Sequence, residues 1–521
     1  MSVKNAILNV LMCLTVLAFP LQCMIDPSAV NIASACIVLA SSLSLLAYIK
    51  LSAAAEEQPL STMALLGFCV TSQLGALLVQ TAAWTPLRIT LFMPLMTFAT
   101  LALYLSIAIA MHIFYRFMTA KSGKGNLVRG FLGWSGVYRL PSNTALWMMG
   151  LIGLVSFPFS TKEGLAARIA SGFHFLTWAP FLLPIFIREV GPSYCNARRN
   201  QIALGLYTGV VVLLGLAMNV RILMFIGVAT IALLYLLMGM RSDAPLTRKA
   251  VMRFLVVAGI LVALSHPMSD LATSMVIARG SRGKVTPTEM VKKTLSVWRR
   301  PALIREYERE RAGVARYTAY DEHYIDNPLL ARFVETKFHD NMIYFASDLK
   351  TEHAKDQLRK LTRDQLWAAL PTPLLNLFHV GVNKDNMMYS MADYLAYLTR
   401  GVRLGGRKTG SMYAQGDAIM GPLFPILYSG ICLLLFGMMD LLTLRQRDGT
   451  ANLAPLAMMS TWMFFYRGVT SDAVSNIFIF IVRDFWQIVM IYVVVFGIAR
   501  MFGGRAPREE SNVAAGLQRA T

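Results

Sequence analysis

The sequence predicts an all-α polytopic membrane protein, and three observations carry that prediction. Of 521 residues, 56% are hydrophobic and 15% charged, whereas soluble domains carry roughly 25% charged residues. Apolar runs near the length of a spanning helix, about 20 residues, recur on both sides of one long polar stretch, residues 268–418. Lys and Arg gather on alternate connections between those runs, as they do where a chain threads back and forth through a bilayer.

Twelve spans are predicted, at 6–24, 31–49, 63–84, 89–114, 145–160, 169–187, 203–219, 221–240, 251–266, 421–440, 452–470 and 476–499. The first follows Lys4 as a signal peptide would, but eleven further spans behind it favour an uncleaved helix. The first four spans hold almost no ionisable residues and read as scaffold and lipid contact. His112 and His174 stand singly in their spans, where a neutral imidazole satisfied by a neighbouring helix outweighs a functional role. The basic connections 115–143 and 188–202 suit lipid head groups. Spans seven and eight meet in the tight turn Ala217-Met-Asn-Val-Arg-Ile222, which sets Arg221 at a membrane face. His266-Pro267 ends span nine.

With the N-terminus in the cytoplasm, the short inner segments hold twenty Lys and Arg and the short outer segments four. That asymmetry puts both termini inside and the long polar stretch outside. It also explains the net charge of +20 as topology rather than affinity for nucleic acid. The chain divides into an N-terminal membrane bundle of about nine spans (1–267), an extracytoplasmic, mostly helical loop domain (268–418), a C-terminal bundle of about three spans (419–500) and a cytoplasmic tail (501–521). None of the six cysteines falls in the loop domain, so no disulfide framework or metal set is expected.

Within the loop, Thr286-Pro-Thr-Glu289 has the form of a capping box with proline at the first helical position. It starts a helix with Val291, Leu295 and Trp298 on one stripe, and Pro301 interrupts it. Glu306, Glu308 and Glu310 are matched by Arg305, Arg309 and Arg311, which reads as a solvated face rather than paired acid–base carboxylates. Residues 329–340 read as an amphipathic helix, with His339 and Asp340 near its end. Residues 353–361 and 363–370 are two helices separated by a second capping box, Thr362-Arg-Asp-Gln365, and Pro371 stops them. Apolar sequence from Pro371 to His379 suits the membrane surface. A polar turn with Lys384 follows, then a short helix capped by Ser390 and ended by Gly401. The stretch from Arg400 to Ser411 is glycine-rich and basic, with Arg407 and Lys408 at its centre, and backbone N–H groups of such a segment can face an anion.

The last hairpin carries Arg467 shortly before its turn, Asp472 within it, and Arg483-Asp484 about ten ångströms below it at 1.5 Å per residue. Charges in such places seldom persist without function. Arg221, Arg467, Arg483, Arg407 and Lys408 are therefore the candidate anion ligands, with Asp472, Asp484 and Lys384 in support. Histidine suits proton transfer near neutral pH, and among His266, His323, His339, His353 and His379 the candidates are His379 first and His339 second. There is no Walker A sequence, HExxH, CxxC, Asp-x-Asp or GxGxxG, so nucleotide, metal and cofactor chemistry draw no support.

This pattern resembles the Wzy-type polysaccharide repeat-unit polymerases and the related O-antigen ligases. The resemblance rests on many spans, a large outer loop late in the chain and the arginine of Asn219-Val-Arg221. Two further stretches carry it: Leu370-Pro-Thr-Pro-Leu-Leu-Asn-Leu-Phe378 with Lys384 after it, and Thr409-Gly-Ser-Met-Tyr-Ala-Gln-Gly-Asp-Ala-Ile-Met-Gly-Pro422. An Arg-x10-Gly pattern of some members is absent from the loop. The resemblance implies a GT-C-like fold and a metal-independent glycosyltransferase without cofactor in the bacterial inner membrane. Donor and acceptor would be glycans on undecaprenyl pyrophosphate, the arginines would hold the leaving pyrophosphate, and a chain-length regulator is a compatible partner. A ligase that hands glycan to lipid A core fits the same pattern, and a polysaccharide or lipid transporter is the alternative of a different class.

Overall fold

The computed structural model describes residues 1–120, 127–160, 165–191, 194–281, 284–312, 320, 324–325, 327, 330–370, 372–382, 389–406, 408–445 and 451–503. The protein is helical almost throughout. Among the described residues, nine helices are long and apolar enough to cross a membrane. They are α1 (Val3–Ile25), α2 (Ala29–Leu51), α3 (Pro59–Ala82), α4 (Pro94–Ala120), α7 (Ile169–Val190), α8 (Ala197–Ala217), α9 (Leu223–Met240), α17 (Met412–Leu441) and α20 (Val474–Phe502). This makes it a membrane-embedded, multi-pass protein. Between them lie α5 (Leu127–Trp134), α6 (Asn143–Ser160) and α10 (Arg248–Ala278). The loop region supplies α11 (Pro287–Trp298), α12 (Pro301–Ala312), α13 (Thr336–Ser347), α14 (Glu352–Ala368), α15 (Thr372–Leu377) and α16 (Met391–Arg400). Two short helices, α18 (Pro455–Met459) and α19 (Thr461–Arg467), stand where span eleven is expected. A three-residue hairpin pair, β1 (Thr443–Arg445) with β2 (Ala451–Leu453), links α17 to α18.

Three of the twelve expected spans thus take other forms. Span five is the 18-residue α6. Span nine does not end at Pro267. Helix α10 runs on to Ala278 with that proline inside it, because a proline removes one backbone bond without forbidding the next turn. Span eleven is broken at Ser460, whose φ of −94° and ψ of 6° lie outside the helical ladder. The break accompanies an unusually close approach to α3. A Cβ built on Gly67 would stand 1.7 Å from the Phe465 carbonyl oxygen, and one on Gly468 2.3 Å from the Ala64 Cβ. Small residues let two helix backbones meet in this way inside a membrane.

The caps follow the sequence in part. Thr286 and Glu289 form the expected capping box, Ser390 caps α16, and Gly401 ends it with φ 64°. The second expected box does not form. Thr362 lies inside one continuous helix, α14, capped by Thr351, and its hydroxyl donates 2.8 Å back to the Leu358 carbonyl. Burial of Leu358 beside α16 and α17 keeps that helix unbroken. Likewise, the amphipathic segment expected at 329–340 is a 3₁₀ turn over Leu330–Arg332 followed by α13, which runs to Ser347.

Helix α13 fixes the position of the site. Its first turn is sunk into the bundle against a π turn in α3, Val70–Leu74. The Glu335 N–H donates 2.7 Å to the Thr71 carbonyl, and the Thr336 hydroxyl 2.8 Å to that of Ser72. Thr71 lies eleven residues before Ala82, ~16 Å down the helix axis. The far side of α13 is held as firmly. Asp340 accepts from the N–H groups of Phe92 and Met93, each at 2.8 Å, just where α4 begins. Lys337 pairs with Asp340 at 3.1 Å and lies 3.8 Å over the Phe92 ring.

At the opposite end of the bundle, α1 is joined to the chain after α2 by Lys4–Glu56 at 2.7 Å. There too, Arg116 holds Glu57 at 2.9 Å, and Arg129 and Arg445 both hold Asp440, at 3.0 and 3.3 Å. These are the connections that the charge count assigns to the cytoplasm.

Candidate functional site

Three segments distant in sequence meet at the start of α13: residues 335–340, the end of the basic stretch at 410–412, and the 467–472 turn between α19 and α20. Gly410 allows the second to lie on the third, since a Cβ there would come within 2.1 Å of the Asp472 carbonyl oxygen. The Met412 N–H donates 3.0 Å to the Ser471 carbonyl and locks the pair. Gln415 finishes the join, accepting from the Val474 N–H at 2.9 Å and donating to Thr362 at 2.8 Å.

Arg467 is the cation of the junction. Its guanidinium donates to one oxygen of Glu335 at 3.2 Å, lies 3.1 Å from the other, and forms an ion pair with Asp472 at 2.9 Å. Glu335 is 2% exposed, Asp472 39% and Arg467 28%. The arginine therefore has one buried carboxylate behind it and one open carboxylate in front. A planar fork facing two oxygens is the geometry that also suits phosphate.

His339, one turn further along α13, is 2% exposed. Its Nδ1 shares a 2.8 Å hydrogen bond with the Ser411 hydroxyl, and its ring centroid lies 5.6 Å from that of Tyr413. Ser411 in turn caps α17 by accepting from the Ala414 N–H. Burial, with the Arg467 charge adding to it, pushes the imidazole down to about 3. A general base for neutral pH works best near 7; the bond from His339 to Ser411 ties α13 to α17.

The other expected residues fall on different elements. Lys408 is 8% exposed and pairs with buried Asp393 at 3.0 Å, beside the Tyr320 ring. Burial alone would raise Asp393, but its bonds to Lys408 and Ser390 outweigh this and hold the carboxyl below its usual range. Lys408 is thus engaged in holding the loop rather than closing over a ligand. Arg483 stands in a second π turn, Phe480–Asp484. It is 50% exposed, bonded to Asp484 at 2.8 Å and to the Ala369 carbonyl at 3.3 Å. Val474 to Arg483 spans ~14 Å of helix, and Arg483 shares no ion-pair partner with Arg467. Arg221 is half-buried in the α8–α9 turn. There Asn219, at φ 52°, donates 3.0 Å to the Met275 carbonyl. His379 is exposed at the end of α15 with φ 54°, a region few non-glycine residues adopt. Arg407, Lys384 and His323 lie outside the described residues.

So the site joins Arg467, Asp472 and His339 and leaves Arg221, Arg483 and Lys408 on separate supports. Sequence reading missed Glu335 and Ser411. Glu335 looks like one more surface acid of an amphipathic helix, and only the depth of α13 in the bundle distinguishes it. Among the described residues, no group of three or more His, Cys, Asp and Glu side chains is placed to hold a metal ion. Comparison of the chain with protein-family models, with curated proteins and with solved structures yields no match.

Proposed function

We propose that this protein is a glycosyltransferase that polymerises lipid-linked oligosaccharide repeat units, with undecaprenyl pyrophosphate as the carrier, at the outer face of a bacterial inner membrane. The observation that supports this reading best is Arg467, sunk beside the π turn of α3, backed by Glu335 and fronted by Asp472. A hydroxyl of the acceptor glycan attacks the anomeric carbon of the donor. The bond from that carbon to the diphosphate oxygen breaks, and its electron pair leaves with the polyprenyl diphosphate. The growing charge falls to Arg467, which the diphosphate reaches by displacing the open carboxylate of Asp472 while Glu335 stays behind the guanidinium. The hydroxyl proton passes to a group in contact with solvent. Of the two histidines, only His379 meets that requirement, so the role is assigned to it. Arg483 and Arg221, on their own supports, serve the approach of the lipid diphosphate.

Purified protein in proteoliposomes, given a lipid-linked repeat unit, tests this reading. A ladder of longer lipid-linked glycans is expected. Transfer only to lipid A core would make it a ligase, and movement of the substrate between leaflets without bond formation would make it a transporter.

A further inference from the structure

The bundle end opposite the loop carries a second cationic site that the proposed reaction does not use. Helix α5 lies there with three of its apolar residues turned outward: Leu127 is 93% exposed, Phe131 61% and Trp134 79%. Phe131 and Trp134 form a ring pair at 5.9 Å. A short helix with such a face lies in the plane of a membrane interface, where aromatic rings settle at head-group level. Leu132, 1% exposed, faces the core, and Arg129 turns to the end of α17. Arg129 Nη2 donates 3.0 Å to both the carbonyl and the carboxylate of Asp440, at the end of α17. Arg445, from β1, converges on the same carboxylate at 3.3 Å. Asp440 is 8% exposed, and its two arginines 29% and 30%. Among the described residues, two full positive charges thus meet one negative charge, an excess of one cation at the helix that carries the aromatic pair.

We infer that α5, Arg129 and Arg445 form a binding site for the phosphate of an anionic phospholipid head group, with Phe131 and Trp134 set among its acyl chains. Charge complementarity selects the occupant. A zwitterionic lipid brings its own cation to a site that already has a surplus, whereas an anionic lipid neutralises it. The site sits where α17 gives way to β1 and β2, so an occupied site braces the helix that carries Ser411 at its other end.

Trp134 supplies the probe. Full-length protein is placed in nanodiscs of phosphatidylcholine containing a minor fraction of brominated phosphatidylglycerol or, separately, brominated phosphatidylcholine. The fluorescence due to Trp134 is the difference between wild type and Trp134→Phe. Bromine on phosphatidylglycerol is expected to quench that difference more strongly than bromine on phosphatidylcholine at equal fraction. The preference should fall about fivefold for each arginine removed, as in Arg129→Gln and Arg445→Gln. Equal quenching by the two lipids in wild type would overturn the inference. So would an undiminished preference in the double variant. Because loss of both arginines leaves Asp440 unpaired, Arg129→Gln/Asp440→Asn/Arg445→Gln is measured alongside. It makes the site neutral and should also lose the preference.

Discussion

At the scale of single residues, Arg467 and the two carboxylates on it do different work. Removing a donor from developing charge typically costs about 2.7–4 kcal/mol, a factor of 10²–10³ in rate. Arg467→Lys keeps the charge but loses the planar fork, so on the proposed function polymerisation should fall by about that factor while the protein still reaches the membrane. Glu335 and Asp472 should then part company. Glu335→Gln takes the counter-charge from a half-buried arginine and should lower thermal stability. Asp472→Asn removes an exposed competitor and should leave stability nearly unchanged while lowering the KM for the lipid-linked donor. A raised KM in Asp472→Asn would contradict the displacement of that carboxylate by substrate. His339 offers a second check through pH. An unfolded histidine takes up a proton below about 6.5, but buried His339 does so only near pH 3. The unfolded state therefore binds more protons across that window, and stability falls as pH falls from 6.5 towards 3. The slope due to this residue is roughly 1.4 kcal/mol per unit. Thermal melts of wild type and His339→Asn between pH 7 and 5 should converge at low pH, and parallel curves would refute the burial of a neutral imidazole.

At the scale of elements, the site exists because three irregularities coincide: the π turn in α3, the break at Ser460 and the glycine approach at Gly410. Irregular backbone survives at membrane depth only where protein or a cavity covers it. The Gly67 contact tests that arrangement. Gly67→Ala puts a methyl group against the Phe465 carbonyl, and overpacking of this kind typically costs about 1–3 kcal/mol. Melting temperature should fall, and polymer yield with it, because α19 carries Arg467 at its end. These features also mark where sequence reading stopped. The long apolar runs were legible because hydropathy over about 20 residues needs no tertiary information. Ser390, Gly401 and the Thr286 box were legible because a cap is a local bond. Thr362 misled because the same Thr-x-x-Gln pattern is compatible with a helix interior once Leu358 is buried. Span eleven misled because its break at Ser460 goes with a tertiary contact, Gly67 on Phe465, that hydropathy does not register, and π turns have no signature in a single sequence.

For the whole molecule, two charged ends are separated by an apolar body. Lys4, Arg116, Arg129 and Arg445 are paired at one end, and the loop helices gather at the other. The count of twenty basic residues against four on short connections predicts which end faces the cytoplasm. Single cysteines at Lys350 and Arg139, in a cysteine-free background, should label oppositely with an impermeant thiol reagent in cells with a permeabilised outer membrane. Position 350 is expected to react and 139 to stay protected. The site was partly legible at this scale. Arg467 and Asp472 stood out as charges interrupting apolar sequence. The grouping of five cations into one anion site did not carry through to Arg483 and Lys408, because hydropathy gives depth but not position around the bundle. Lys408 found Asp393, and Arg483 found Asp484 and Ala369, on supports of their own.

On the proposed function, Arg467 stabilises a departing lipid diphosphate. The most direct measurement compares wild type, Arg467→Lys and Arg483→Lys in proteoliposomes supplied with lipid-linked repeat unit, following both glycan length and released polyprenyl diphosphate. Arg467→Lys is expected to lose product formation by a factor of about 10² or more, with bound donor still detectable, while Arg483→Lys is impaired less. Near-normal polymer and diphosphate release from Arg467→Lys would contradict that role and leave the Arg467–Glu335–Asp472 cluster as a structural brace.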